Sequence, residues 1–195
     1  MYRIFLAAVD IVPAAVVLIP LFGILYLTAY DRNFKKCVLS CLFCLYLSAV
    51  FALVGIPNIS YIRPEVNLNW IPFAGMLQDL KNCILNVALF IPLGFFLPLL
   101  CGRFRRLISS TAFGFGLSLV IEHLQMLTFR ATDVNDMITN TIGTVLGFLL
   151  AKAAGRNCQS IGEDPKSIYR LCALSFGIMF FVHPFLSPLI WDRIL

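Results

Sequence analysis

Glu122 stands in the middle of an apolar run, Ser118-Leu-Val-Ile-Glu122-His-Leu-Gln125. Positions four and seven apart fall on one face of a helix, so Ser118, Glu122 and Gln125 line up. An ionised carboxylate inside a membrane span costs about 2.5–3.5 kcal/mol on insertion scales, which makes an intramembrane acid a functional candidate by default. Two kinds of chemistry are open to it. It can accept hydrogen bonds from the hydroxyls or amides of a ligand, or, with desolvation acting on its proton affinity, serve as a general acid or base. The structural alternative is a bond to a neighbouring helix and nothing more.

A second polar cluster follows at once in Arg130-Ala-Thr-Asp133-Val-Asn-Asp136-Met-Ile-Thr-Asn140. Arg130 has the geometry to grip a phosphate or carboxylate. Asp133 and Asp136 could face a divalent cation toward a phosphate, although two aspartates three apart make a thin metal site. Either could instead cap the next helix, and Arg130 could pair with Asp133 as a surface salt bridge of small net value. Upstream, Asn69-Trp-Ile-Pro72-Phe73 sets an aromatic group before an apolar segment, and Asn86-Val-Ala-Leu-Phe-Ile-Pro92-Leu-Gly94 puts a proline in mid-span. The carbonyls that Pro92 frees need a polar partner, and a kink is expected there. Gly143-Thr-Val-Leu-Gly147 is a GxxxG that lets a neighbouring helix come close.

The elements that must position these groups are membrane helices. The 195 residues are 60% hydrophobic and 13% charged, with a mean hydropathy of +0.90; an average soluble chain is roughly 45–50% apolar and about 25% charged. Apolar segments near the ~20 residues that span a bilayer lie at about 4–28, 37–55, 82–101, 107–128, 138–154 and 168–190. The expected fold is all-α: a polytopic helical membrane bundle of about six transmembrane helices, five being the lower count, in one membrane domain over 1–195. The first segment is too long for the ~7–15-residue core of a signal peptide and is expected to be a retained helix. Two connections, 56–81 and 155–167, are rich in Pro, Gly, Asn or charge.

Basic residues orient the bundle, because cytoplasmic loops keep an excess of Lys and Arg. Arg32, Lys35 and Lys36, then Arg103, Arg105 and Arg106, then Lys152, Arg156, Lys166 and Arg170 make ten of the fifteen on one side. Both termini are therefore expected outside the membrane. At ~1.5 Å rise per residue, Glu122, Asn86 and Asn140 then all lie within about 10 Å of the outer helix ends. Asp10 either joins them or marks where the first helix leaves the headgroups.

Other features point elsewhere. The net charge of +5 is mainly a topogenic signal with a contact to anionic lipids, and no nucleic-acid partner is expected. Among the seven cysteines, Cys37, Cys41 and Cys44 share a helix face and Cys41-Leu-Phe-Cys44 has metal spacing, but nothing completes the site, so they read as apolar helix residues. His123 and His183 read as structural. No metal and no cofactor are expected.

In this order, Asn69-x-x-Pro72-Phe73, Asn86-x-x-x-Phe90-x-Pro92-x-Gly94, Ser118-x-x-Ile-Glu122-x-x-Gln125 and Arg130-x-x-Asp133-x-x-Asp136-x-x-x-Asn140-x-x-Gly143-x-x-x-Gly147 resemble the VanZ-like membrane family, with its core at about 69–150. Trp70 stands where an aliphatic residue is expected. The resemblance implies a link to glycopeptide resistance, in particular to teicoplanin, a lipoglycopeptide that acts at the outer leaflet and on wall precursors. Three functions stay open. The first is a non-catalytic envelope protein whose outer-leaflet site, made of Asn69, Asn86, Glu122, Gln125, Arg130, Asp133, Asp136 and Asn140 and shaped by Pro72, Pro92, Gly94, Gly143 and Gly147, binds a lipid-linked wall precursor or the glycopeptide among the surrounding membrane lipids. The second is an enzyme acting on a polyprenyl phosphate or other lipid with Glu122 as the catalytic group. The third is a lipid or small-molecule transporter, for which no inverted repeat is visible.

The charge distribution makes one prediction. Alkaline phosphatase joined after Trp191 should be active, as an external enzyme is, whereas joined in the 31–36 loop it should be inactive; the reverse pattern would overturn the orientation.

Overall fold

In lipid every backbone N–H and C=O must find its partner within the protein, which leaves helices and closed barrels as spanning elements. The computed structural model describes residues 2–28, 33–60, 62, 68–69, 73, 79–128, 132–154 and 164–192, with the backbone alone for 2–9, 68, 69 and 132. It has six helices long and apolar enough to cross a membrane: α1 (Tyr2–Thr28), α2 (Phe34–Val54), α3 (Leu80–Leu100), α4 (Leu107–Gln125), α5 (Val134–Ala154) and α6 (Lys166–Trp191). The chain is an all-α, multi-pass membrane protein.

Local chemistry sets several boundaries that hydropathy alone places differently. α2 starts three residues earlier than expected because Asn33 caps it, its side chain accepting from the Lys36 N–H at 3.1 Å. It ends at Gly55, whose φ of 67° is the left-handed conformation glycine adopts freely. α5 starts at Val134 rather than near 138, because Asp133 Oδ1 accepts from the Asn135 N–H at 2.9 Å and draws the polar turn into the helix. Within α6, Ile178–Val182 widens into a π-helical segment. The Phe180 carbonyl there accepts from the Ile59 N–H at 3.1 Å.

Polarity is turned inside out. On α4 the buried positions include Ser110, Gly114, Ser118, Glu122 and Gln125, and on α5 they include Asn135, Thr139, Asn140 and Thr144. Ile108, Phe115, Leu119, Val120, Leu146, Leu149 and Leu150 are exposed on the same two helices. Water would penalise that arrangement; hydrocarbon favours it, because side chains facing lipid lose nothing while polar groups find partners inside.

The chain forms two helical units, Met1–Ile62 with Lys166–Leu195, and Arg63–Pro165. In the first, α1 packs on α2 and on the last part of α6, and α2 packs on the first part of α6. Its cysteines work as helix-contact residues and weak donors. Cys37 Sγ reaches the Phe22 carbonyl at 3.2 Å and Cys44 Sγ the Leu171 carbonyl at 3.7 Å, while Ser175 Oγ donates to the Cys44 carbonyl at 3.3 Å. Asp10 is in this unit, with its Oδ1 3.2 Å from His183 Nε2, a close approach without hydrogen-bond alignment.

In the second unit α5 lies against both α3 and α4. A Cβ added at Gly143 would strike the Val87 carbonyl oxygen, one at Gly147 the Ile91 carbonyl oxygen, and one at Gly94 the Thr144 carbonyl oxygen. The α3 and α5 backbones therefore touch. On the other side, a Cβ at Gly114 of α4 would strike the Thr144 side chain. A short 3-10 turn, Gly102–Arg105, joins α3 to α4, and Ser110 Oγ ties back to the Phe104 carbonyl at 2.7 Å. Two-residue strands, β1 (Leu68–Asn69) and β2 (Thr132–Asp133), pair in parallel, with Leu68 opposite Thr132 and Asn69 opposite Asp133.

These contacts separate two kinds of glycine. Gly147→Ala should lower stability by about 1–3 kcal/mol through overpacking. Gly116→Ala, where nothing lies within 4 Å, should leave stability unchanged or raise it; thermal unfolding in detergent reads both.

Candidate functional site

The polar end of the second unit is built from three backbone approaches. β1 pairs with β2 and brings the chain before α3 beside the chain before α5. The α3–α5 glycine contact and the α4–α5 contact at Gly114 then bring Ser118 and Glu122 of α4 against the first turns of α5.

Glu122 is 1% exposed. Its Oε2 accepts from the Asp133 N–H at 3.1 Å, so the carboxylate grips the backbone where β2 becomes α5. Asp133 in turn caps α5 through Oδ1, and Asp136 lies in the first turn, where a carboxylate complements the helix dipole. One turn below Glu122, Ser118 Oγ accepts from Asn140 Nδ2 at 2.9 Å. Asn140 is 4% exposed, and its Oδ1 has no hydrogen-bond partner among the described residues. A buried acceptor left in that state costs about 1–3 kcal/mol. Thr139 and Thr144 do not meet it, since their hydroxyls bond back to carbonyls of α5, Thr144 Oγ1 to that of Asn140 itself at 3.0 Å.

Glu122, Asp133, Asn140 and Ser118 thus form one connected polar patch across α4 and α5. Gln125 is buried on the same α4 face, and its carbonyl accepts from both the N–H and the hydroxyl of Thr128 at 2.9 and 3.0 Å. Asn69 contributes its backbone opposite Asp133. Asn86 is half-buried on α3, next to Val87 and its glycine contact. Pro92 is inside α3, one residue after Ile91. Arg130 and Pro72 lie outside the described residues, as does the side chain of Asn69. Asp10 meets His183 in the other unit.

One residue that the sequence did not single out is central. Asn135 is 4% exposed, and its Oδ1 accepts from the Phe73 N–H at 2.7 Å across 62 positions of chain. An asparagine in the first turn of a span was the only signal for it.

Residues 43–155 match the family model described as VanZ/LLP1. Protein VanZ of Enterococcus faecium is 37% identical over 87 residues, which cover 43% of this chain and 52% of that protein. The chain spans about half the length of this curated relative. No solved structure matches it.

The grip on Asp133 separates shape from charge. Glu122→Leu leaves the Asp133 N–H without its acceptor and should cost about 1–3 kcal/mol, whereas Glu122→Gln keeps an acceptor oxygen and should unfold close to wild type. Equal losses in a detergent melting experiment would overturn this assignment.

Proposed function

The chain belongs to the VanZ/LLP1 family, and from that premise we propose that it is a non-catalytic cell-envelope protein of the bacterial plasma membrane that binds an amphiphile at the outer leaflet. The ligand class is a lipid-linked wall precursor or a lipoglycopeptide of the teicoplanin type. The observation that carries the proposal is the buried Asn140 Oδ1, an acceptor without a described partner, beside Ser118 and one turn from Glu122. A hydroxyl or amide of a sugar or peptide headgroup supplies the donor it lacks. Glu122 and Gln125 extend the acceptor surface toward the helix end, and Arg130 meets the phosphate or carboxylate of the same ligand. The basic-residue asymmetry supports the outer side, and the resemblance to a resistance family supports the ligand class.

With the chain expressed in a susceptible host at equal membrane levels, Arg130→Ala and Glu122→Gln should each abolish teicoplanin protection. Because Glu122→Gln keeps the Asp133 contact, its loss would belong to binding and not to folding. Unchanged susceptibility in both variants would sink the site, and turnover of polyprenyl phosphates by purified protein, with or without magnesium, would overturn the non-catalytic assignment.

A further inference from the structure

Phe73 has φ of 64°, and it is the one non-glycine residue with positive φ among the described residues. For an L-residue with a Cβ the left-handed conformation costs roughly 1–2 kcal/mol, and a bulky side chain there is an outlier that persists only when the surroundings hold it. What holds it is Asn135, buried to 4% exposure, whose Oδ1 takes the Phe73 N–H at 2.7 Å. Asn135 is fixed in its turn, because its own N–H goes to Asp133 Oδ1 at 2.9 Å, and the Asp133 N–H goes to Glu122 Oε2 at 3.1 Å. Three hydrogen bonds in series run from the buried acid of α4 to the backbone of Phe73.

A glycine would adopt this conformation at no cost. A phenylalanine could offset the cost by burying its ring, but Phe73 is 67% exposed. Burial among the described residues therefore offsets little of that cost. Anchoring at a bilayer interface does not account for the clamp, since an aromatic side chain partitions there from a loose loop as well as from a fixed one. A backbone fixed at Phe73 sets where the ring starts, which suits a partner that must arrive in register with Glu122.

We propose that Phe73 is a ligand-binding residue of the same site, its backbone held so that the ring is presented to the hydrocarbon tail of the amphiphile whose headgroup meets Glu122 and Asn140. Asn135 is the positioning residue. This rests on the amphiphile-binding function proposed above and adds to it a division of labour, with the head bound by α4 and α5 and the tail bound at Phe73.

The test pairs long-tailed probes with tail-less ones on the purified full chain: undecaprenyl phosphate against isopentenyl phosphate, and teicoplanin against the same glycopeptide without its acyl chain. Phe73→Gly should weaken the long-tailed probe that wild type binds about ten- to a hundred-fold, the loss that goes with one buried aromatic side chain. It should leave tail-less binding unchanged, and the melting temperature should stay level or rise as the left-handed strain is relieved. Asn135→Ala should give a smaller loss of the same tail-dependent kind. Glu122→Gln should weaken long and short probes alike. If wild type binds tailed probes and Phe73→Gly binds them equally well, the inference fails while the proposed function stands. If wild type binds none of the four probes, both fail. A fall in thermal stability or membrane insertion of Phe73→Gly without tail-dependent loss makes the ring a bilayer anchor and overturns the inference.

Discussion

Where Gly143 and Gly147 of α5 face the carbonyl oxygens of Val87 and Ile91 on α3, there is no room for a methyl group. Lipid offers helices no hydrophobic reward for associating, so contact must come from van der Waals fit at short range and from hydrogen bonds. Glycine on one helix and a bare carbonyl on the other give the closest fit two helices can make, and Gly94 repeats the arrangement in the opposite direction against Thr144. With α3 seated this deeply, Thr144 is presented to Gly114 of α4. Ser118 and Glu122, one and two turns further along α4, come level with Asn140 and Asp133. The polar patch is thus a result of helix packing set several residues away from it.

That dependence divides the polar residues by role. Asp133 is explained almost entirely by structure: its side chain caps α5 and its amide satisfies Glu122. Thr139 and Thr144 bond within their own helix. Asn140 differs, because one end of its amide is used and the other is buried without a described partner. Family membership alone identifies no ligand. The asymmetry of Asn140 supplies a chemical criterion for one, a group that donates.

Much of this was legible in the residues, and what was not has a common physical origin. The six helices follow from hydropathy, since lipid requires long apolar runs. The alignment of Ser118, Glu122 and Gln125 follows from helical period, and Gly143 and Gly147 from the small-residue rule for close packing. Helix starts were displaced where a side chain caps the backbone, as at Asn33 and Asp133, because capping acts on hydrogen bonds and leaves hydropathy untouched. The bond from Asn135 to Phe73 could not be read at all. It joins Phe73 to the first turn of α5 across 62 positions, beside the pairing of Asn69 with Asp133 in β1 and β2. No local spacing encodes that meeting. The contact between Asp10 and His183 was hidden for the same reason, its partners lying near opposite ends of the chain.

The π-helical segment Ile178–Val182 in α6 has a geometric consequence of its own. A π turn carries one residue more than an α turn, so everything after it sits about 100° behind where an uninterrupted α-helix would put it. Before the segment, α6 turns Ile168, Leu171 and Ser175 inward, with Leu171 and Ser175 bonded to Cys44 of α2; after it, His183 faces Asp10 of α1. In a plain α-helix Ser175 and His183 would stand about 80° apart, and the extra residue brings them to about 20°, so one continuous helix keeps one side toward both neighbours. Drawing the same residues into plain α-helix would leave the span long enough to cross the membrane, yet swing His183 away from the Asp10 carboxyl.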